Sequence, residues 1–273
     1  MKPNFSSIVL KCLGLAAFSP WVVAATCSRP INVPMSAIGV SVIVKNDEVT
    51  GGVYPDILDG LSKEGGCTFV IKAVPRARLE RMFANGEADI LLPAVQNPAR
   101  DAVGIFVPTS YSRATLISLQ SNRKPITTAK ALLEHKELKV AIVRGFGYGV
   151  AYDELVQQLE RQGRLFYEAD PRSVAKLLKL DIVQVTIMAP SILAGAIQDD
   201  VEFVDLTNKL RYEPIDELPW GANGAYISKT ALSEADQNVL RALLEKAARS
   251  GAVWQGFKKY YSPAVLKESI RPR

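Results

Sequence analysis

Short apolar runs alternate with amphipathic stretches twice along this chain, and that alternation restricts the fold more than any other feature of it. In the first set, "INVPM" and "VSVIVK" read as strands separated by "SAIG", with "NDEVTGG" as the turn that follows. "VYPDILDGLSKEGG" starts extended, then places Ile57, Leu58 and Leu61 at helical spacing and stops at Gly65 and Gly66. "CTFVIKAV" reads as a strand. "RARLERMFANG" reads as a helix with Leu79, Met82 and Phe83 on one face and Gly86 as its stop, and "ADILLPAV" as a buried strand. A second set begins near residue 125 with the threonine-capped helix "TTAKALLEHKE". It continues as strand "LKVAIV", helix "GVAYDELVQQLERQG", strand "RLFYEA", helix "PRSVAKLLKLD", strand "IVQVTIMA", helix "PSILAGAIQ" and strand "VEFVDL". Strand–helix–strand order of this kind predicts mostly parallel sheets with helices on their faces, an α/β chain in two lobes. "SYSRATLISL" and "PWGANGAY" are placed to run between the lobes. The first lobe is then discontinuous, residues 26–113 and 222–273, and the second spans 114–221. A long amphipathic helix, "SEADQNVLRALLEKAARSG", and a basic tail close the chain.

The N-terminus reads as a targeting segment. Lys2 and Lys11 precede the uncharged "CLGLAAFSPWVVAA", which ends in small residues at Val23 and Ala25. Residues 1–25 are expected to be a cleaved signal peptide, with a retained membrane anchor as the alternative. An exported, periplasmic chain would then keep Cys27 and Cys67, an even pair for which a disulfide is the default. They precede the first and second strands of the first lobe, where adjacent strand starts come within disulfide reach. A lipid-anchored Cys27 is disfavoured because "AATC" lacks a leucine-like residue three before the cysteine.

Charge and motifs exclude several classes. The formal charge of +5 is mixed in sign along the chain, without the basic, aromatic-studded stripe of a nucleic-acid binder. His135 is the single histidine and there is no C-x-x-C pair, so no metal site is expected, and no cofactor either. "VAIVRGFGYGVAYDEL" sets Gly145, Gly147 and Gly149 between a strand and a helix, as a dinucleotide loop does. Val150, however, stands where the last glycine or alanine should be. The turn reads better as one whose amides face a cleft and hold a small anion. No G-x-S-x-G elbow and no nucleophile–base–orienter set can be assembled, so no catalytic residue is proposed. Tyr54, between a turn and a helix start, is either core or a pocket wall, and Asp56 is a first-turn helix acid.

The layout "GGVYPDILDGLSKEGG … LERMFANGEADILLPAVQNPARDAVGIFVPTSY" resembles the periplasmic solute-binding proteins of amino-acid-type ABC importers (extracellular solute-binding family 3). Asp56, Gly86, Asp89, Arg100, Phe106 and "PTSY" occupy the places of that family's pattern. The likeness extends to "LKVAIVRGFGYG" and to "ANGAYISKTALSEADQNVLRALLEKAARSG". The resemblance implies the type II fold, two α/β lobes with a ligand cleft between them that closes over a small molecule. It implies that Arg100 forks onto a ligand carboxylate and that Tyr54, Ala94, Gly145 and Phe146 lie at the ligand. Arg76 falls where relatives place an aromatic wall, and reads either as a second cleft arginine or as a surface salt bridge. Arg78 and Arg81 lie opposite the apolar face of their helix and read as solvated. Two departures stand out. "PAVQNPAR" lacks the usual hydroxyl residues, and Thr186 stands about where relatives keep an acid for an α-amino group. The implied protein is a monomer, not an enzyme, that captures a small anionic or carboxylate-bearing solute and passes it to an ABC permease in the inner membrane. A ligand-sensing subunit of a receptor kinase and a dehydratase-type enzyme are the rivals on the same scaffold.

Overall fold

The computed structural model describes residues 26–64 and 66–273. The segment read as a signal peptide lies outside the described residues. The first part of the chain forms β1 (Ile31–Met35), β2 (Ile43–Lys45), β3 (Glu48–Gly51), α1 (Val53–Lys63), β4 (Phe69–Ala73), α2 (Arg76–Ala84), β5 (Ile90–Val95), α3 (Pro98–Val103) and β6 (Gly104–Ser112). The middle part forms β7 (Thr115–Leu119), α4 (Ala129–Glu134), β8 (Val140–Val143), α5 (Val150–Arg161), β9 (Leu165–Glu168), α6 (Pro171–Lys179), β10 (Val185–Met188) and α7 (Pro190–Ile197). A short 3-10 turn (Val201–Phe203), α8 (Val204–Thr207) and β11 (Leu210–Glu213) complete it. The chain then returns as β12 (Gly221–Ser228), α9 (Glu234–Arg249), α10 (Ala252–Tyr260), α11 (Pro263–Ser269) and β13 (Ile270–Pro272).

These elements make two α/β lobes. In one, β1 and β4 pair in parallel, and β13, β6, β12 and β5 form an antiparallel sheet in that order. In the other, β11, β7, β10, β8 and β9 form a five-stranded sheet, parallel across β10, β8 and β9 and antiparallel at β7 and β11. The expected parallel order therefore holds for half of the first lobe only, because β5 takes the returning strand β12 as its partner. Each sheet is built from apolar runs. Ile90, Leu91 and Leu92 on β5, and Val140 to Val143 on β8, are all buried, as strands covered on both faces must be. One cluster around Ile31, Leu58, Ile227, Leu240 and Phe257 fills the first lobe. Two clusters, around Leu155 and around Leu178 and Phe203, lie against the five-stranded sheet.

Three segments differ from the expectation. "VEFVDL" is helical, not a strand: the Asp200 side chain accepts from the Glu202 amide at 2.9 Å, and Phe203 and Leu206, three apart, are the buried pair. "NPAR", to which no element is assigned from sequence, begins a helix, with Pro98 in its first turn and the Asn97 side chain accepting from the Arg100 amide at 2.9 Å. The basic tail folds into α10, α11 and β13, whose Ile270 is buried against the first lobe.

Two passages join the lobes, one between β6 and β7 and one between β11 and β12. They meet at Trp220, whose indole ring is approached by two guanidinium groups. Arg113 of the first passage sits 4.9 Å from the ring centre, and Arg271 of β13 4.0 Å from it. Arg113 also pairs with Glu268 of α11 at 2.5 Å.

Cys27 and Cys67 form a disulfide with Cα atoms 4.9 Å apart, closing a separation of 40 residues. It joins the entries of the paired strands β1 and β4. In the chain-entropy account a loop of this length contributes on the order of 4 kcal/mol. The Cys27→Ala/Cys67→Ala variant should therefore unfold at markedly lower urea concentration than the oxidised protein, with a somewhat steeper slope because the uncrosslinked unfolded chain exposes more surface, as measured by circular dichroism.

Candidate functional site

A cavity lies between the lobes at the ends of several strands. From the first lobe come Ser41, Tyr54, Arg76, Ala94, Ser112 and Asn223. From the second come Phe146, Gly147 and Tyr148 after β8, and Ala189 and Ser191 at the start of α7. Ile38, Phe257 and Ile270 add apolar wall. Its free volume is about 60 Å³. At about 10–15 Å³ per water, that is room for roughly four to six waters, or a solute of few heavy atoms.

Arg76 is the one charged residue of this lining, and no carboxylate shares it. It is the first residue of α2 and is 5 % exposed. Nη1 donates to the Pro93 carbonyl at 2.9 Å, and Nη2 pairs with Glu80 Oε1 at 2.5 Å. Nε is buried without a partner. Glu80 sits one helical turn beyond Arg76 and is held from the other side by Arg100. Arg100 Nε donates to Oε2 at 3.1 Å and Nη2 to Oε1 at 2.9 Å. Arg100 Nη1 donates to the Val95 carbonyl at 2.5 Å. Burial pushes the Glu80 carboxyl upward, but Arg76 and Arg100 together outweigh it and hold the group below its usual range. Burial lowers the Arg76 guanidinium and the nearby Arg100 adds to this, against the pull of Glu80. Two guanidinium groups thus share one carboxylate, leaving a surplus positive charge beside the cavity.

The polar lining is otherwise neutral. Tyr54, 1 % exposed, accepts a bond from Asn223 Nδ2 at 3.0 Å, and burial pushes its hydroxyl up to about 12. Tyr148 accepts from the Ala189 amide at 3.1 Å, and burial raises it likewise to about 12. Both are neutral phenols at physiological pH.

The lobes touch on either side of the cavity. On one side Ser269 Oγ accepts from the Ser191 amide at 2.8 Å and donates to Ser191 Oγ at 2.6 Å, while Tyr261 donates to the Ser191 carbonyl at 2.7 Å. There a side chain on Gly195 would begin 2.7 Å from the Val40 amide nitrogen, and one on Gly39 2.7 Å from the Ile192 carbonyl oxygen. On the other side Gly145, at φ +89°, packs so that a Cβ would lie 3.1 Å from the backbone of Ala77 at the start of α2. The cleft is closed, and it closes through backbone contacts that glycine makes possible.

The residues singled out from sequence fall into three groups. Tyr54, Arg76, Ala94 and Phe146 come together in the cavity lining. Gly145 and Arg100 lie instead along an outer groove between the lobes, and Arg100 is 7 % exposed and fully engaged with Glu80 and Val95. The structure therefore does not bring Arg100 to the cavity; Glu80 occupies the fork expected to receive a ligand carboxylate. Thr186 lies in β10 between β7 and β8, fully buried with an unpartnered hydroxyl and outside the lining. Arg78 and Arg81 are exposed, as read. Sequence reasoning missed Asn223, Tyr148, Ser191 and Glu80. Glu80 alone carried a local signal, its four-residue spacing from Arg76. Among the described residues no group of His, Cys, Asp and Glu is arranged to hold a metal ion, and no helix is long and apolar enough to cross a membrane.

No protein-family model and no curated protein matches this sequence. Solved structures match its fold over nearly the whole of both chains. EhuB in complex with hydroxyectoine shares 17% identity at a TM-score of 0.68, covering 88% of this chain and 91% of its own. The amino acid ABC transporter substrate-binding protein AbpA from Streptococcus pneumoniae, bound to L-arginine, shares 15% at 0.67, covering 85% and 94%. A histidine kinase sensor domain with similarity to periplasmic binding proteins shares 13% at 0.67, covering 86% and 96%. The fold is thus the two-lobed one of periplasmic binding proteins.

Two outcomes follow from this geometry. Glu80→Ala leaves two buried guanidinium groups without their carboxylate and should cost roughly 3 kcal/mol in urea denaturation. Because Glu80 is held below its unfolded value, its contribution is complete at neutral pH and is lost as pH falls below about 4. The acid limb of the melting profile should therefore be shallower in Glu80→Gln than in the wild type. Gly195→Val should hold the lobes apart and raise the radius of gyration in small-angle scattering, with each lobe still folded.

Proposed function

We propose that this chain is an exported, non-enzymatic solute-binding protein whose interlobe cavity takes a small anionic solute, carboxylates being the chemistry that suits it best. The observation that carries this reading is the cavity lining: one buried arginine, no acid, and a surplus guanidinium charge just behind it. A guanidinium shielded from bulk solvent favours an anion. An α-amino acid would also bring an ammonium group, and the lining offers that group no carboxylate. Tyr54, Ala94 and Phe146 supply shape around the anion; Arg100 acts through Glu80 on the setting of Arg76. Gly145 serves closure, and Thr186 has no place at the ligand.

The short segment read as a signal peptide and the disulfide fit passage into the periplasm. Delivery of the captured solute to an ABC permease in the inner membrane, by a monomer, is the role that the likeness to ABC substrate-binding proteins supports. The equally close likeness of a histidine kinase sensor domain supports a second reading, in which the closed form is presented to a receptor kinase. Solute uptake in cells with and without the protein separates the two.

The binding reading is tested by a thermal-shift screen of small carboxylates and their amino-acid counterparts, followed by calorimetry. Carboxylates should raise the melting temperature and amino acids should not. Arg76→Met should weaken the best carboxylate by about 30- to 5,000-fold, the range for removing one partner of a buried charge pair. Arg78→Ala should leave it unchanged. A screen in which amino acids bind and carboxylates do not would refute the anion assignment.

A further inference from the structure

Ser269 ends α11 in the first lobe and is fully buried, yet both of its side-chain bonds go to Ser191 of the second lobe, itself 2 % exposed. Its Oγ accepts from the Ser191 amide at 2.8 Å and donates to Ser191 Oγ at 2.6 Å. A buried hydroxyl costs free energy unless it is bonded. Among the described residues of its own lobe the Ser269 hydroxyl bonds nothing, so a serine here answers to the closed form and not to the folding of the lobe that carries it.

The other partner needs what Ser269 supplies. The first amides of a helix have no acceptor within it, and a serine, threonine, aspartate or asparagine just before the helix ordinarily takes one. α7 has Ala189 in that place and no cap from its own side chains. Pro190 has no amide, so Ser191 carries the first amide of the helix, and the hydroxyl that accepts from it comes from across the cleft. Tyr261 of the same tail adds a third bond by donating to the Ser191 carbonyl at 2.7 Å. The start of α7 is also cavity wall. Ala189 and Ser191 line the cavity, and the Ala189 amide donates to Tyr148 of the same lining at 3.1 Å. Neither Ser269 nor Tyr261 belongs to that lining.

We propose that Ser269 is a positioning residue of the solute site: it caps α7 from the opposite lobe and, with Tyr261, holds the lobes closed before any solute arrives. The proposal goes beyond the anion reading and holds for whichever solute the cavity takes. Affinity for every solute then carries a common factor, the fraction of the protein already closed, set by three bonds that no solute touches.

The test needs no solute. It compares the wild type, dialysed free of small molecules, with Ser269→Ala/Tyr261→Phe, with Tyr261→Phe and with Ser262→Ala. Ser262 is an exposed serine at the start of α11 whose side chain makes no cap bond. In small-angle scattering the wild type and Ser262→Ala should both have the radius of gyration of this closed structure, and the double variant a larger one. Each net hydrogen bond is worth a factor of roughly two to ten, so losing all three should lower the closed-to-open ratio by about ten- to a thousandfold. Tyr261→Phe leaves the Ser191 amide bonded to Ser269. It should nevertheless speed the exchange of that amide with deuterium by roughly two- to tenfold, because the amide is released when the lobes part. A wild type as expanded as the double variant, or a double variant as compact as the wild type, overturns the proposal. So does a Tyr261→Phe protein that exchanges the Ser191 amide at the wild-type rate. A double variant that melts lower while keeping the closed radius overturns it as well, because the hydroxyls then serve the fold and not the closure.

Discussion

One carboxylate, Glu80, holds two guanidinium groups at once, and the wall of the cavity depends on it. It joins the first turn of α2, through Arg76, to α3, through Arg100. The same two arginines reach the carbonyls of Pro93 and Val95 at the end of β5. Two helices and a strand end are thereby locked in one arrangement by charge-assisted bonds, which are stronger and more directional than neutral ones. Burying two cations against one anion is an arrangement that packing alone would not select. Its yield is a rigid, positively charged wall at the mouth of an otherwise neutral, aromatic chamber. Removing solvent from such a chamber strengthens every remaining electrostatic contact within it.

Much of the fold was legible because strands such as β5 and β8 are short apolar runs and helices such as α1, α5 and α6 are amphipathic. The return of β12 beside β5 was not legible in that way, since antiparallel and parallel neighbours present the same buried face. "VEFVDL" misled through its alternation of apolar and polar residues. Val201 and Val204 are 91 % and 65 % exposed, so the apolar count overstated what the segment buries. The site was readable only in part. Arg76 and Arg100 stand 24 positions apart on the same side of the same lobe, and sequence offers no means of telling which one a carboxylate of the protein itself will occupy. Asn223 comes from the first lobe and Tyr148 and Ser191 from two separate segments of the second, so the three line one cavity only when the lobes meet.

Closure here is a matter of backbone approach as much as of side chains. Gly39, Gly145 and Gly195 mark the places where the two lobes come nearest, and the Ser191–Ser269 bonds join the start of α7 to the last helix of the chain. The tail is therefore part of the clasp. It also supplies Ile270 and Phe257 to the cavity wall, so the segment that finishes the first lobe also shapes the site.

The position of Trp220 has an optical consequence. The described residues hold two indoles, Trp220 and Trp254. Trp254 packs within the first lobe, whereas Trp220 lies where the two passages meet, beside cations from the first passage and from the final strand. Two guanidinium groups over the ring set the local field across it, and rotation of one lobe about the other changes that field. The emission colour of this protein is thus tied to the angle between its lobes, giving it a built-in gauge of opening that needs no attached dye.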